Sequence, residues 1–192
     1  MTGQMATARA IVAAALLVSS CTSSTNPPAS TPSPSASASR PTSPSTDLQV
    51  AGSMSARSDP AAGESSCSYG EFVAGRVRFV STAMALSSGG VLRVGMEVLP
   101  SSGSQPAESP LFAGNITPVR VEQYPTVASG ALLAAWSATS GAIIVSAVRD
   151  VGRRGRYGVI SGTVDAQLSQ SGSSKPLHLT GAWGCVVDPP AT

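Results

Sequence analysis

Histidine occurs once in this sequence, as His178, and lysine once, as Lys175, against eleven arginines. Aromatic residues make up 4% of the chain and charged residues 11%. Each shortage excludes something. A Ser-His-acid hydrolase needs its histidine beside an exposed nucleophile, and no Gly-x-Ser-x-Gly turn is present to supply one. A zinc centre needs three or four clustered ligands, which one histidine and three cysteines spread along the chain do not supply. Ten acids are scattered, and nothing in the sequence fixes the spacing of a pair such as Asp150 and Asp165, although the two could meet across strands. A net charge of +2 is too small to argue for nucleic acid. The sequence therefore points away from catalysis, metals and cofactors.

Long hydrophobic runs are also missing. The longest is Ala10–Val18, nine residues behind a single charge at Arg9. As a helix it reaches roughly 14 Å, about half of a bilayer core. That is the apolar region of a secretory signal rather than a permanent span. Val18-Ser19-Ser20-Cys21 follows it directly. A branched apolar residue, two small residues and a cysteine resemble a bacterial lipobox, in which the thiol receives a diacylglyceryl group and a peptidase cuts before the cysteine. Residues 1–20 are thus expected to be a cleaved signal, and Cys21 the lipid attachment site. Two acyl chains hold a protein on a membrane where one holds it only marginally. The expected location is the extracytoplasmic face of the cell membrane.

Residues 21–66 read as a linker. From Thr22 to Thr46 everything except Asn26 and Arg40 is Ser, Thr, Pro or Ala, and no apolar period exists to build a core. Such composition predicts a disordered stalk. Asp47 to Ser66 is less biased, but still polar and dotted with Gly and Ser.

Cys67 opens a different composition, and residues 67–188 are expected to form one β-rich domain, with 189–192 as a tail. Leu92, Val94, Met96 and Val98 share one face and Arg93, Gly95 and Glu97 the other. Val77 and Phe79 alternate with Arg76 and Arg78, and Val119 and Val121 with Arg120 and Glu122. Tyr157, Val159, Ser161 and Thr163 form another period-two run. Leu177, Leu179, Trp183 and Cys185 share a face if the last run continues through Gly181. Ala142–Val148 is apolar throughout except for Ser146, which suits a strand covered on both faces. Ala131–Trp136 reads equally as helix or strand. Six or seven short strands with Gly/Ser turns between them predict a mainly β fold, a single antiparallel sandwich or half-open barrel. Once Cys21 is lipidated, Cys67 and Cys185 remain, one at each end of the domain, and in an oxidising exterior they are expected to pair.

Together these features resemble the mycobacterial nineteen-kilodalton lipoprotein antigen family. The matching elements are the lipobox at Cys21, the Ser/Thr/Pro stalk, Cys67 and Cys185, and Tyr157–Val164, which resembles that family's Tyr-x-Ile-x-Gly-Thr strand. The resemblance implies a cell-envelope lipoprotein, open to glycosylation and sensed by hosts through its acylated terminus, with no known catalysis. The preference for arginine over lysine fits a GC-rich, for instance actinobacterial, genome.

Gly152-Arg153-Arg154-Gly155-Arg156 is the one local charge cluster. Arg153, Arg154 and Arg156 could grip a phosphate or an anionic headgroup, although a solvated basic turn is the commoner meaning of such a run. Two function classes remain. The first is a non-catalytic binding or interaction module facing an envelope lipid, a glycan or a host surface. The alternative is a lipid or glycolipid carrier with an apolar cavity. A filled core and a lined cavity give the same apolar alternation.

Overall fold

The computed structural model describes residues 39–59, 64–71, 73–108, 117–128 and 130–190. The signal segment, Cys21 and the stalk up to residue 38 lie outside the described residues. Among those described there is no helix, so none is long and apolar enough to cross a membrane. The described residues form eleven strands: β1 (Asp47–Gly52), β2 (Ala56–Arg57), β3 (Ser66–Tyr69), β4 (Val77–Val80), β5 (Met84–Ala85), β6 (Val91–Val98), β7 (Gly103–Pro106), β8 (Val119–Tyr124), β9 (Ala134–Arg149), β10 (Gly158–Ser169) and β11 (Leu177–Val187).

Hydrogen bonding joins them into one ring-like sheet in the order β10-β9-β8-β6-β4-β3-β11, with β11 also paired to β10. The form is that of a sandwich or half-open barrel. All pairings are antiparallel except β3–β11, which share the single parallel pair Cys67 and Val187. Cys185, one inward position back along β11, is bonded to Cys67, with Cα atoms 6.0 Å apart. The disulfide thus reinforces the thinnest seam of the ring.

Alternation carries the core. Leu92, Val94, Met96 and Val98 all turn inward, as do Val77, Phe79, Val119 and Val121. In β11 the inward set Leu177, Leu179, Trp183, Cys185 and Val187 runs through Gly181 without changing phase. Trp183 meets Phe79 edge to face, ring centres 5.6 Å apart, a favoured geometry for an aromatic pair.

Two expectations change and two open points are resolved. The domain begins before Cys67. Strand β1 pairs with β11 from Asp47–Ala182 to Gly52–Leu177, and Leu48 and Val50 are fully buried. Residues 40–46 lie against the same body, with Thr46 Oγ1 donating to the carbonyl of Gly184 at 3.2 Å. The segment was missed because two apolar residues in a polar stretch give too short an alternation to register. Second, Ala131–Trp136 resolves as the start of a strand from Ala134, because Val121–Trp136 and Glu122–Ala135 pair across β8 and β9. Third, Ala142–Val148 is covered on one face only: Ile143 and Val145 are buried, while Ile144 is 47% exposed. Ser146 lies between the paired residues Val145 and Ala147 as a bulge, so the next partly buried residue is Val148 and the phase shifts by one. Fourth, the face of β10 that enters the core is Ile160, Val164, Ala166 and Leu168; Val159, Ser161 and Thr163 face outward. Gly162 belongs to the inward set. A Cβ there would strike the Ile144 carbonyl of β9, so only glycine permits the close approach of strands at that bulge.

Candidate functional site

The basic cluster lies in the turn between β9 and β10. Arg153 is paired with Asp150 at 3.2 Å, and Arg153, Arg154 and Arg156 are exposed. Asp150 itself sits at φ 53°, in the left-handed region a tight turn of this kind requires. The three side chains stand on a solvated loop, and an exposed Arg–Asp pair adds little stability. Asp150 and Asp165 do not meet. Asp165 pairs with Ala142, whereas Asp150 follows the Arg149–Val159 pair, about seven residues and roughly 23 Å further along the strand. Asp165 instead bonds His178, with Oδ1 and Nε2 2.8 Å apart on the outer face of the sheet. Among the described residues no three His, Cys, Asp or Glu side chains gather as a metal set.

Of several surface hollows among the described residues, one lies on the outer face of β4, β6 and β8. Register builds it. Gly95 of β6 stands between Val80 of β4 and Arg120 of β8. Glu97 lies opposite Arg78, and Arg93 opposite Glu122. Apart from the short Val80, the outward positions around it carry long side chains, so the missing one at Gly95 leaves a hollow of about 170 Å³. A Cβ added at Gly95 would meet nothing within 4 Å, so the floor opens onto space. Arg78, Arg93, Arg120, Glu97, Glu122 and Tyr124 form the walls, with Thr117 and Pro118 at one end.

The walls are largely pre-set. Arg93 donates from Nη2 to the Val127 carbonyl at 2.8 Å and lies over the Tyr124 ring, 5.4 Å from its centre, a cation–π arrangement. Tyr124 donates its hydroxyl to Glu122 Oε2 at 2.7 Å, and that bond pushes the phenol's pKa up. Arg120 pairs with Glu122 at 3.4 Å. The contacts of Arg93 and Arg120 hold each guanidinium while using few of its five donors.

Glu97 differs from the rest. Its side chain is on the outer face, yet the residue is only 7% exposed, and Oε2 has no hydrogen-bond partner. Burial raises its carboxyl above the ordinary range, and the charges of Arg78 and Arg76 pull part of the way back. Burial also lowers the pKa of Arg76, which reaches the Glu97 carbonyl at 3.5 Å rather than its carboxylate. A buried acceptor without a partner costs about 1–3 kcal/mol, and such groups in a native fold call for a reason.

None of the residues in this hollow was singled out from sequence as a site. The available signal was weak: charged residues at alternate positions in three separate segments. The interior accounts for the apolar alternation, since Trp183, Phe79, Met84, Leu92, Met96 and Ile143 are all fully buried within one continuous hydrophobic cluster. The class defined is an all-β domain closed by a disulfide, with an arginine-walled hollow on its outer face. In comparisons with protein-family models, curated proteins and solved structures, nothing matches the chain.

Proposed function

We propose that this chain is an exported cell-envelope lipoprotein, held on the membrane through Cys21, whose β domain binds a partner rather than turning over a substrate. In this reading it is surface-antigen-like and works without a cofactor. Its contact surface is the outer face of β4, β6 and β8, and the observation that carries it is the hollow over Gly95, walled by three arginines and a buried carboxylate with an unused oxygen. The Cys67–Cys185 bond supports export, because such bonds persist in oxidising compartments. The close-packed cluster around Trp183 and Phe79 favours a binding module over a lipid carrier, since a carrier needs apolar room.

Phase partitioning in detergent tests the anchor. The parent chain, expressed in a host with the lipoprotein export route, should enter the detergent phase, and Cys21→Ala should leave it. Equal partitioning of the two would refute the anchor and leave the binding face to be judged separately.

A further inference from the structure

The hollow over Gly95 has the chemistry of a particular ligand class. We propose that it binds a phosphorylated polyol, the phosphate held by Arg78, Arg93 and Arg120 and a neighbouring hydroxyl held by Glu97. This rests on the reading of the β domain as a binding module, but not on its anchor.

The anion follows from the charge of the walls. Three guanidinium groups face two carboxyl groups, so the site favours a negative ligand. Among the described residues Arg93 donates to the Val127 carbonyl and Arg120 pairs with Glu122, which uses few of the five donors of each. Both therefore keep donors for phosphate oxygens, and charge-assisted bonds of this kind are strong. Arg93 is oriented in advance by Tyr124 and the Val127 carbonyl, and Arg120 by Glu122, which lowers the ordering cost of binding.

The hydroxyl follows from Glu97. Its Oε2 is buried and unpartnered on the wall of the hollow, so a bound group there would satisfy it. An ammonium would have to lie among three guanidinium groups. A hydroxyl avoids that repulsion, and it can donate to a carboxylate or accept from a carboxylic acid, so it suits Glu97 in either protonation state. The two requirements are a phosphate and a hydroxyl within one small molecule or headgroup. A soluble sugar phosphate and the headgroup of an inositol phospholipid both meet them.

Gly95 supplies the control. Its backbone is not in the left-handed region and a Cβ there touches nothing, so Gly95→Val places its branch in the hollow with no clash at Cβ. Valine also suits a strand better than glycine. The fold should therefore survive while the site does not.

The test uses the full chain carrying Cys21→Ala, so that the anchor does not bring it to lipid by itself. Calorimetric titration with glucose 6-phosphate, glucose and inorganic phosphate reads the soluble arm. Co-sedimentation with phosphatidylcholine vesicles, with and without phosphatidylinositol, reads the lipid arm. Glucose 6-phosphate should bind about tenfold or more tightly than glucose or phosphate alone, as expected when two kinds of hydrogen bond act together. Gly95→Val should abolish that binding with its urea midpoint unchanged or raised. Glu97→Gln should weaken it about tenfold. Added sedimentation with phosphatidylinositol vesicles, lost in Gly95→Val, would mark the headgroup as the source; binding of the soluble phosphate alone would mark a free solute. The proposal is overturned if neither probe binds, if Gly95→Val binds as the parent does, or if inorganic phosphate binds as well as glucose 6-phosphate. None of these results bears on detergent partitioning, so the two readings fail separately.

Discussion

Leu48 should behave as a core residue although it lies in a stretch whose composition resembles a linker. Its side chain is fully buried, and its strand pairs along β11 through six residues. Leu48→Ala removes three carbons. At about 0.8 kcal/mol for each buried methylene the transfer loss is about 2.4 kcal/mol. The cavity left behind adds to this, and buried Leu→Ala changes span about 2–5 kcal/mol. The expected loss is about 3 kcal/mol, a large share of the 5–15 kcal/mol typical of a domain. Gln49, next in sequence, is exposed, and Gln49→Ala should change stability by less than about 0.5 kcal/mol. Urea unfolding followed by tryptophan fluorescence reads both variants, because Trp136 and Trp183 are the only tryptophans and are 2% and 1% exposed. If the two variants lose similar amounts, or Leu48→Ala loses less than about 1 kcal/mol, β1 is not part of the core and the domain begins later.

Replacing Cys67 and Cys185 together by alanine should cost up to about 4.9 kcal/mol from chain entropy, for a loop spanning 118 residues. Urea midpoints of parent and double variant measure it; an unchanged midpoint would show that β3 and β11 hold together without the bond. Glu97 should make stability depend on pH. Its folded carboxyl gives up its proton at higher pH than the ordinary value near 4.5, so the folded state holds more protons in that interval. Stability should therefore be greatest below the ordinary value and fall as pH rises through the folded one. Glu97→Gln should match the parent below about pH 4, where both side chains are neutral, and exceed it at neutral pH. A difference that stays flat across thermal melts from acid to neutral pH would show that the carboxyl is not held up by burial.

The inner face of the fold was legible because one strand is enough to define it. Leu92, Val94, Met96 and Val98 announce their direction without reference to any other segment. The failures have local causes. Leu48 and Val50 are too few to make a pattern, and their burial comes from β11, more than a hundred residues away. Ala142–Val148 looked covered on both faces because Ile144 is apolar, yet it is nearly half exposed. The bulge at Ser146 then moves the inward phase onto Val148, and nothing in the local composition marks it. In β10 the outward Val159 and inward Ile160 are both apolar, so either phase of the alternation was available.

The outer face poses a different problem, and the hollow shows why. Arg93, Gly95 and Glu97 were correctly read as sharing a face, but a face has no shape until its neighbours are known. Gly95 is a gap only because Val80 and Arg120 flank it, and those residues lie 15 and 25 positions away. Register turns three ordinary polar alternations into one concave, arginine-walled surface. The same register encloses Glu97, whose carboxyl would otherwise be solvated, and leaves Oε2 without a partner. A side chain selected for stability alone would not carry that cost, since Gly95→Val and Glu97→Gln are both expected to be neutral or stabilising. Two adjacent outward positions of one strand each favour an open polar hollow over a more stable surface. The proposed binding site would account for that pairing, because functional sites are where stability is commonly given up.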